Sequence, residues 1–213
     1  MVILKKLFTI AVLAIVFFSF IPSAFAFSDV GNGDGKKEIL ALKERGIASG
    51  VGKDKFAPEK ELTYAEALTF IARTFGWTLD DEGKNEKASS YFPNVGDDKW
   101  YAESFLLASK QGISLDKNVQ PERAITKEEF VHFVFQAMTK KYELYFIELY
   151  KMFDDEQEVA PEFMTSVQKM IISDITPLEN NRFYPKKNLN RKEGAIILYR
   201  TLEFLSKQKL IEL

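Results

Sequence analysis

The chain has 213 residues, of which 46% are hydrophobic and 28% charged, a composition typical of a folded protein rather than a disordered one. It carries 29 Lys and Arg against 31 Asp and Glu, so no excess of basic residues is available for nucleic-acid phosphates. The absence of cysteine excludes disulfides, thiolate metal sites and cysteine nucleophiles. The single histidine, His132, cannot form a cluster of histidine ligands and is expected to be structural. We therefore expect no metal, no cofactor and no nucleic-acid partner.

Residues 1–26 have the pattern of a secretory signal. Lys5 and Lys6 precede an apolar run over residues 7–20, and Ala24 and Ala26 stand where small residues precede a cleavage site. Cleavage is expected between Ala26 and Phe27. An uncleaved membrane anchor is the alternative, but the apolar run is shorter than the ~20 residues that a membrane span needs. The sequence thus predicts a secreted chain with no transmembrane span after cleavage, which stays at a cell surface only through non-covalent contacts.

The remaining chain repeats one pattern three times, a feature that sets the architecture. Five residues after each of three prolines stands a helix-capping residue, and three residues after that stands a glutamate. The prolines are Pro58, Pro121 and Pro185, the caps Thr63, Thr126 and Asn190, and the glutamates Glu66, Glu129 and Glu193. A cap residue followed by glutamate at the third helical position is a capping box, so a helix should begin at each one. Apolar residues at steps of three and four follow each box.

A shorter helix is predicted before each box, over residues 36–46, 100–111 and 161–172. The predicted fold is all-α, with three helix-loop-helix repeats at 27–90, 91–152 and 153–213. Because one repeat of about 60 residues buries little apolar surface alone, we expect the repeats to pack as a pseudo-threefold bundle, a pseudo-trimer.

The second repeat differs from the others. No Gly or Pro interrupts Thr126 to Met152, and an apolar stripe of helical spacing continues through this stretch. The pattern predicts one long helix in repeat 2. Its stripe either packs under the third repeat or presents Tyr142, Tyr145 and Tyr150 to a partner, since tyrosine rings are amphipathic.

These repeats resemble the S-layer homology domain family, whose members carry three tandem repeats after a secretory signal. The family's Phe-x-Asp-Val motif is matched at Asp29 and Asp155, with Asn94 in the middle copy. Its Phe-x-Pro loop precedes the first and third capping boxes, and Val119 replaces the phenylalanine in the middle copy. The tryptophan of its Trp-Ala helix start survives only as Trp100, and its Thr-Arg-Ala-Glu motif corresponds to the three boxes. The resemblance implies non-covalent binding of anionic, commonly pyruvylated, cell-wall polysaccharide in grooves between repeats, on the bacterial cell surface.

In the family the arginine of Thr-Arg-Ala-Glu pairs with the anionic sugar. Arg191 matches it, Lys127 keeps only the charge, and Tyr64 keeps neither. The resemblance therefore implies sugar contacts at these three positions and at Trp100, with Arg191 and Lys127 as the competent ones. Hydroxyl contacts from Glu66, Glu129 and Glu193 are a further expectation, although capping alone explains these glutamates.

Two alternatives remain. A divergent repeat domain that has lost sugar binding would serve as a protein-interaction or assembly element at the cell surface, through Tyr142, Tyr145 and Tyr150. An enzyme is disfavoured, because glycoside hydrolysis needs two carboxylates across a cleft and every glutamate singled out above has a capping role.

Overall fold

The computed structural model describes residues 27–208 and 210–212; the expected signal segment and its cleavage position after Ala26 lie outside the described residues. The described part is mainly helical, as predicted for an all-α protein. Its helices are α1 (Lys36–Glu44), α2 (Tyr64–Phe75), α3 (Ala102–Lys110), α4 (Lys127–Lys141), α5 (Met164–Ile172) and α6 (Arg191–Ser206). Two short strands, β1 (Tyr142–Glu143) and β2 (Ile211–Glu212), and four 3-10 turns at Gly83–Asn85, Ala88–Ser90, Glu156–Glu158 and Pro161–Phe163 complete it.

Capping boxes begin the three longer helices, α2, α4 and α6. At α2 the Thr63 hydroxyl accepts from the Glu66 N–H at 3.2 Å, and the Glu66 carboxylate accepts from the Thr63 N–H at 3.2 Å. The same reciprocal pair is present at the starts of α4 and α6. Each box satisfies two backbone donors that a helix start would otherwise leave unpaired.

A ring of three backbone hydrogen bonds joins the residues just before these boxes. The Leu62 N–H donates to the Leu189 carbonyl at 2.8 Å, and the Leu189 N–H donates to the Ile125 carbonyl at 3.0 Å. The Ile125 N–H donates to the Leu62 carbonyl at 2.9 Å and closes the ring. All three side chains are buried, so the ring lies inside the core.

The helices pair between repeats. Helix α3 packs on α2, α5 packs on α4, and α1 packs on α6, while α2, α4 and α6 contact one another. Each short helix thus covers the long helix of the preceding repeat, and the first covers that of the last. A repeat therefore depends on its neighbours to bury its apolar faces.

Polar pairs sit inside two of these helix contacts. The Thr69 and Ser104 hydroxyls lie 2.9 Å apart between α2 and α3. His132 occupies the corresponding place in α4, where its Nδ1 lies 2.7 Å from the Ser166 hydroxyl of α5 and its ring packs on Phe163. Burial lowers the pKa of His132 and favours the neutral imidazole. The histidine has a structural role, as predicted.

Two aspartates hold the Phe-x-Pro loops. Asp29 accepts from the N–H groups of Phe56 and Ala57, both at 2.8 Å. Asp155 accepts from the N–H groups of Phe183 and Tyr184 at 2.8 and 2.7 Å. Burial raises the pKa of Asp29, but the backbone donors of Phe56 and Ala57 outweigh it, so that pKa lies below its ordinary value. In the middle repeat Asn94 instead donates to the Asn118 carbonyl at 2.9 Å.

The Asp155→Asn variant is expected to lower the free energy of unfolding by about 2 to 3 kcal/mol, since an amide NH2 would face a backbone donor in a buried site. Asp155 is only 2% exposed, so water cannot compensate. Urea unfolding followed by circular dichroism measures the change. Asp154→Asn is the control, because its side chain is exposed and should change stability by less than about 0.5 kcal/mol. Equal effects of the two variants would contradict the assigned role.

The prediction of one long helix in repeat 2 is wrong. Helix α4 ends at Lys141, and Tyr142 has the extended dihedrals φ −130° and ψ 142°. Tyr142 and Glu143 pair antiparallel with Glu212 and Ile211 of β2. The Lys141 ammonium donates to the Phe75 carbonyl at 2.7 Å, at the C-terminal end of α2.

Tertiary contacts decide the course of the chain after α4. Phe146 packs against Phe135 of α4 and Phe204 of α6, with ring centroids 5.5 and 6.0 Å apart. A helix continued past Lys141 would give up this contact and the β1–β2 pairing. A local apolar stripe does not reveal such remote partners.

Candidate functional site

Two cavities lie where the repeats meet, and each contains one of the two cationic residues at the helix starts. The first, the Arg191 groove, has a volume of about 420 Å³. The second, the Lys127 groove, has a volume of about 490 Å³. Residues from all three repeats line each groove.

Arg191 forms the floor of the first groove and is only 2% exposed. Its Nε donates to the Phe56 carbonyl at 2.8 Å, and one terminal nitrogen donates to the Ser49 carbonyl at 2.7 Å. The other terminal nitrogen donates to the Glu66 carboxylate at 3.0 Å. The guanidinium also packs over the rings of Phe56 and Phe70. Burial lowers the pKa of Arg191, although Glu66 opposes the effect.

Arg191 is therefore held by the protein itself. Three of its five N–H groups donate to these acceptors, and the part of the chain that the structure describes supplies no acceptor for the other two. The guanidinium is fixed in orientation, because it is bonded on three sides. Such a group can present its remaining donors to a bound anion without losing side-chain entropy.

The wall of the Arg191 groove is exposed and mixed in character. Trp100 lies there with 65% of its surface exposed. Arg73 and Lys60 add two cations, and Glu122 adds a carboxylate. The Arg73 guanidinium donates to the Ser49 hydroxyl, and Lys60 pairs with Glu66 at 3.0 Å. An aromatic ring beside cations suits a ligand with an apolar face and a negative charge.

Lys127 occupies the corresponding place in the second groove. It is 8% exposed, and its ammonium lies 4.8 Å from the centre of the Phe183 ring. Within residues 27–208 and 210–212, this ammonium has neither a hydrogen-bond acceptor nor an ion-pair partner. Burial lowers the pKa of Lys127, although Glu179 and Glu193 oppose the effect. The Lys127 side chain is thus nearly buried, whereas its ammonium is accessible in the groove and can meet an anionic ligand there.

A second polar group in the Lys127 groove also lacks a partner. The Thr176 hydroxyl is buried and has no hydrogen-bond partner among the described residues. Lys187 is paired with Glu193, and Lys192 with Glu59 at 2.6 Å. The groove therefore contains paired charges at its edges and two unpaired polar groups deeper inside.

Tyr64, the third residue of the series, is enclosed by protein. Its ring is 4% exposed, and the Arg123 guanidinium packs over it, 4.6 Å from its centre. Arg123 donates to the Tyr64 hydroxyl at 2.8 Å and to Glu129 at 2.6 Å. Burial raises the pKa of Tyr64, and Glu129 adds to the effect. Tyr64 and Glu129 line neither of the two grooves.

The structure thus brings together two sets of the residues singled out in the sequence. Arg191, Glu66 and Trp100 share the first groove, whereas Lys127 and Glu193 share the second. Glu66 and Glu193 serve as capping groups and as ion-pair partners at once.

Sequence reasoning missed the cation that follows each proline by two residues. Lys60, Arg123 and Lys187 stand at this position and pair with Glu66, Glu129 and Glu193. Their constant spacing was a usable signal. The contributions of Ser49 and Thr176 carried no such signal, because only folding brings these loop residues beside Arg191 and Lys127.

A family comparison identifies the class of this protein. Residues 26–68 match the model of the S-layer homology domain. This match confirms the resemblance to the S-layer homology family that the repeats show in the sequence.

Curated relatives extend the similarity over most of the chain. It is 31% identical to an amylopullulanase of Thermoanaerobacterium thermosulfurigenes over 83% of its length and 27% identical to a cellulosome-anchoring protein of Acetivibrio thermocellus over 70%. It is 26% identical to the middle cell wall protein of Brevibacillus brevis over 55% of its length. The chain spans 9%, 33% and 12% of these three relatives, respectively. The family and these surface-protein relatives point to a location at the cell surface or cell wall.

Two further structural findings concern the described residues alone. None of their helices is long and apolar enough to cross a membrane. No group of three or more His, Asp or Glu side chains in the same residues is arranged to hold a metal ion.

Proposed function

We propose that this protein attaches non-covalently to the bacterial cell wall by binding an anionic wall polysaccharide in the Arg191 groove and the Lys127 groove. The observation that carries the proposal is the nearly buried Lys127 side chain, whose ammonium is accessible in the groove and has no acceptor among the described residues. A sugar carboxylate, such as that of a pyruvyl group, would supply the missing acceptor. The nearby Thr176 hydroxyl would bond to a ring oxygen or hydroxyl.

Helix position supports an anionic ligand in both grooves. Lys127 and Arg191 are the first residues of α4 and α6, which have 15 and 16 residues. The partial positive charge of a helix start adds to the charge of each side chain. In the Arg191 groove, the exposed Trp100 ring would pack against the apolar face of a sugar ring.

The two grooves belong to a pseudo-threefold arrangement of repeats 27–90, 91–152 and 153–213. The closed ring of hydrogen bonds through Leu62, Ile125 and Leu189 supports this symmetry, as does the cyclic pairing of the helices. The third position of the ring contains Tyr64 packed under Arg123. We therefore assign two sugar sites to the chain and none to the Tyr64 position.

The proposed role is non-enzymatic. The amylopullulanase relative matches over only 9% of its own length, and the cellulosome-anchoring protein is named for anchoring. Glu66, Glu129 and Glu193 are each bound to a cap residue and a cation, which leaves them unsuited to acid-base work. Secretion with cleavage after Ala26 would deliver this domain to the wall.

A sedimentation experiment tests the proposal. The secreted chain, purified as residues 27–213, should sediment with cell walls that carry their polysaccharide and stay in solution with walls stripped of it. Released polysaccharide should compete, whereas the same polysaccharide with its carboxylates reduced to alcohols should not. Equal sedimentation with intact and stripped walls would overturn the proposal.

A second candidate function is protein interaction or assembly at the cell surface. The specific observation in its favour is a row of exposed apolar side chains, Tyr145, Ile147, Leu149, Tyr150 and Met152, after β1. Of the tyrosines that the sequence suggested for this role, Tyr145 and Tyr150 are exposed and Tyr142 is half-buried.

A further inference from the structure

The segment after β1 exposes more apolar surface than its surroundings. Between residues 145 and 152, five large apolar side chains are each 61% to 76% exposed, namely Tyr145, Ile147, Leu149, Tyr150 and Met152. Contiguous apolar surface of this kind marks an interaction site more often than single exposed residues do. The polysaccharide proposal uses none of these residues.

The first part of this segment alternates like an edge strand. Leu144 and Phe146 are half-buried, whereas Tyr145 and Ile147 between and after them are exposed. The alternation continues from Tyr142 and Glu143, which pair with β2 on one side. The backbone N–H groups of Phe146 and Glu148 have no acceptor within the described residues. Unpaired donors beside exposed apolar side chains are the features of a strand edge that accepts another strand.

We propose that this edge, residues 143–151, pairs antiparallel with the same edge of a second copy of this chain, about a twofold axis at Ile147. In this register Ile147 lies opposite Ile147 of the partner, and Tyr145 lies opposite Leu149. Glu143 lies opposite Lys151, so two opposite-charge pairs flank the apolar centre. The segment is thus complementary to itself in both charge and polarity.

Neighbouring registers lack this complementarity. A shift that centres the pairing between Tyr145 and Phe146 places Glu143 opposite Glu148, and like charges directly opposite destabilise a sheet. Centring on Phe146 places Glu143 opposite Leu149, and centring on Glu148 places Glu148 opposite its own copy. Registers shifted by half a step from Ile147 pair each charge with an uncharged residue, so among these neighbours the one centred on Ile147 alone pairs opposite charges.

Backbone hydrogen bonding agrees with that register. The Ile147 carbonyl already accepts from the Leu149 N–H at 3.0 Å, so Ile147 suits a non-hydrogen-bonded pair. Such a pair brings its two side chains closest together. The ladder bonds then come from Phe146 and Glu148, whose N–H groups have no acceptor among the described residues.

Sedimentation equilibrium of the purified secreted chain, without wall material, tests this dimer. The wild type should associate with rising concentration, and Ile147→Lys should weaken association at least tenfold by placing two charges on the twofold axis. Val51→Lys is the matched control, since Val51 is an exposed apolar residue outside the segment and should leave association unchanged. Circular dichroism verifies that each variant is folded.

Charge reversal tests the register. Glu143→Lys and Lys151→Glu should each weaken the dimer, because like charges then face each other, and the double variant should restore it. A protein that stays monomeric at all concentrations would overturn the proposal, as would a double variant no better than the single ones. Because wall material is absent from the association assay, its failure is distinct from failure of the proposed wall binding.

Discussion

Replacing Arg191 by methionine is expected to lower the free energy of unfolding by about 3 kcal/mol, because breaking a buried ion pair leaves an uncompensated charge. Glu66 would keep only Lys60, whose side chain is about half exposed, as a partner. The carbonyls of Phe56 and Ser49 would also lose their donors. Urea unfolding followed by circular dichroism measures this change.

Two further variants show how much of the stability that Arg191 provides comes from its charge and how much from its planar set of donors. Arg200→Met is the control, since Arg200 lies on the same helix, is half-buried and should change stability by less than about 0.5 kcal/mol. Arg191→Lys keeps the charge but not the planar set of donors, so its stability should lie between wild type and Arg191→Met. An Arg191→Met protein as stable as the wild type would show that the ion pair with Glu66 does not stabilise the fold.

Replacing Lys127 by methionine is expected to have opposite effects on stability and on binding. The free energy of unfolding should stay the same or rise by about 1 kcal/mol, because a nearly buried lysine without an ion-pair partner among the described residues is replaced by an apolar side chain of similar size. Loss of the contact with the Phe183 ring limits the gain. Affinity for wall polysaccharide should fall about 10- to 100-fold, the usual effect of losing one charge-assisted hydrogen bond.

The pH dependence of binding gives an independent test of Lys127. An anionic ligand needs the protonated ammonium, so the Lys127 contribution to affinity is full below the pKa of Lys127. It is lost as pH rises through that pKa, which burial places below the ordinary 10.5. The Lys127→Met protein should lack this alkaline loss. Lys140→Met, an exposed change on the same helix, should behave like the wild type in both assays. Wild-type affinity in Lys127→Met would refute the assigned role.

Together these variants test whether Arg191 has a structural role and Lys127 the proposed role in ligand binding. Arg191 and Lys127 occupy equivalent helix starts, and both are nearly buried. Three protein acceptors hold Arg191, however, whereas Lys127 faces an aromatic ring and a cavity. Loss of wall binding in an Arg191 variant is therefore meaningful only beside its measured stability, whereas loss in a Lys127 variant can be interpreted directly.

Local sequence patterns predicted the helix starts well, because a capping box joins residues only three positions apart. The helix caps form hydrogen bonds with the glutamate three positions later and need no distant partner, as seen at Thr63, Thr126 and Asn190. The same approach failed at the end of α4. Nothing within the stretch after Thr126 indicates that Phe146 packs on Phe204 or that Tyr142 pairs with Glu212.

In the candidate site, too, local patterns predicted some features and not others. The threefold repeat indicated that Arg191, Lys127 and Tyr64 occupy equivalent positions. The constant spacing of Lys60 from Glu66, which recurs in the other two repeats, could have predicted their ion pair. Repetition did not show that Tyr64 is enclosed under Arg123, since that depends on the shape and charge of a side chain 59 positions away. Likewise, the sequence did not show that Asp29 and Asp155 accept hydrogen bonds from the Phe-x-Pro loops, because those loops lie 27 to 29 positions further along the chain.

The sequence by itself determined that the protein has three similar units, each with a capped helix, since caps and apolar periodicity act within a few residues. The tertiary structure alone decided which cation is bound by protein and which has no acceptor among the described residues. Arg191 and its partner Glu66 are 125 positions apart, and the groove beside Lys127 is built from all three repeats. Burial and electrostatic pairing depend on the complete surroundings of a charge, and folding brings those surroundings from distant parts of the chain.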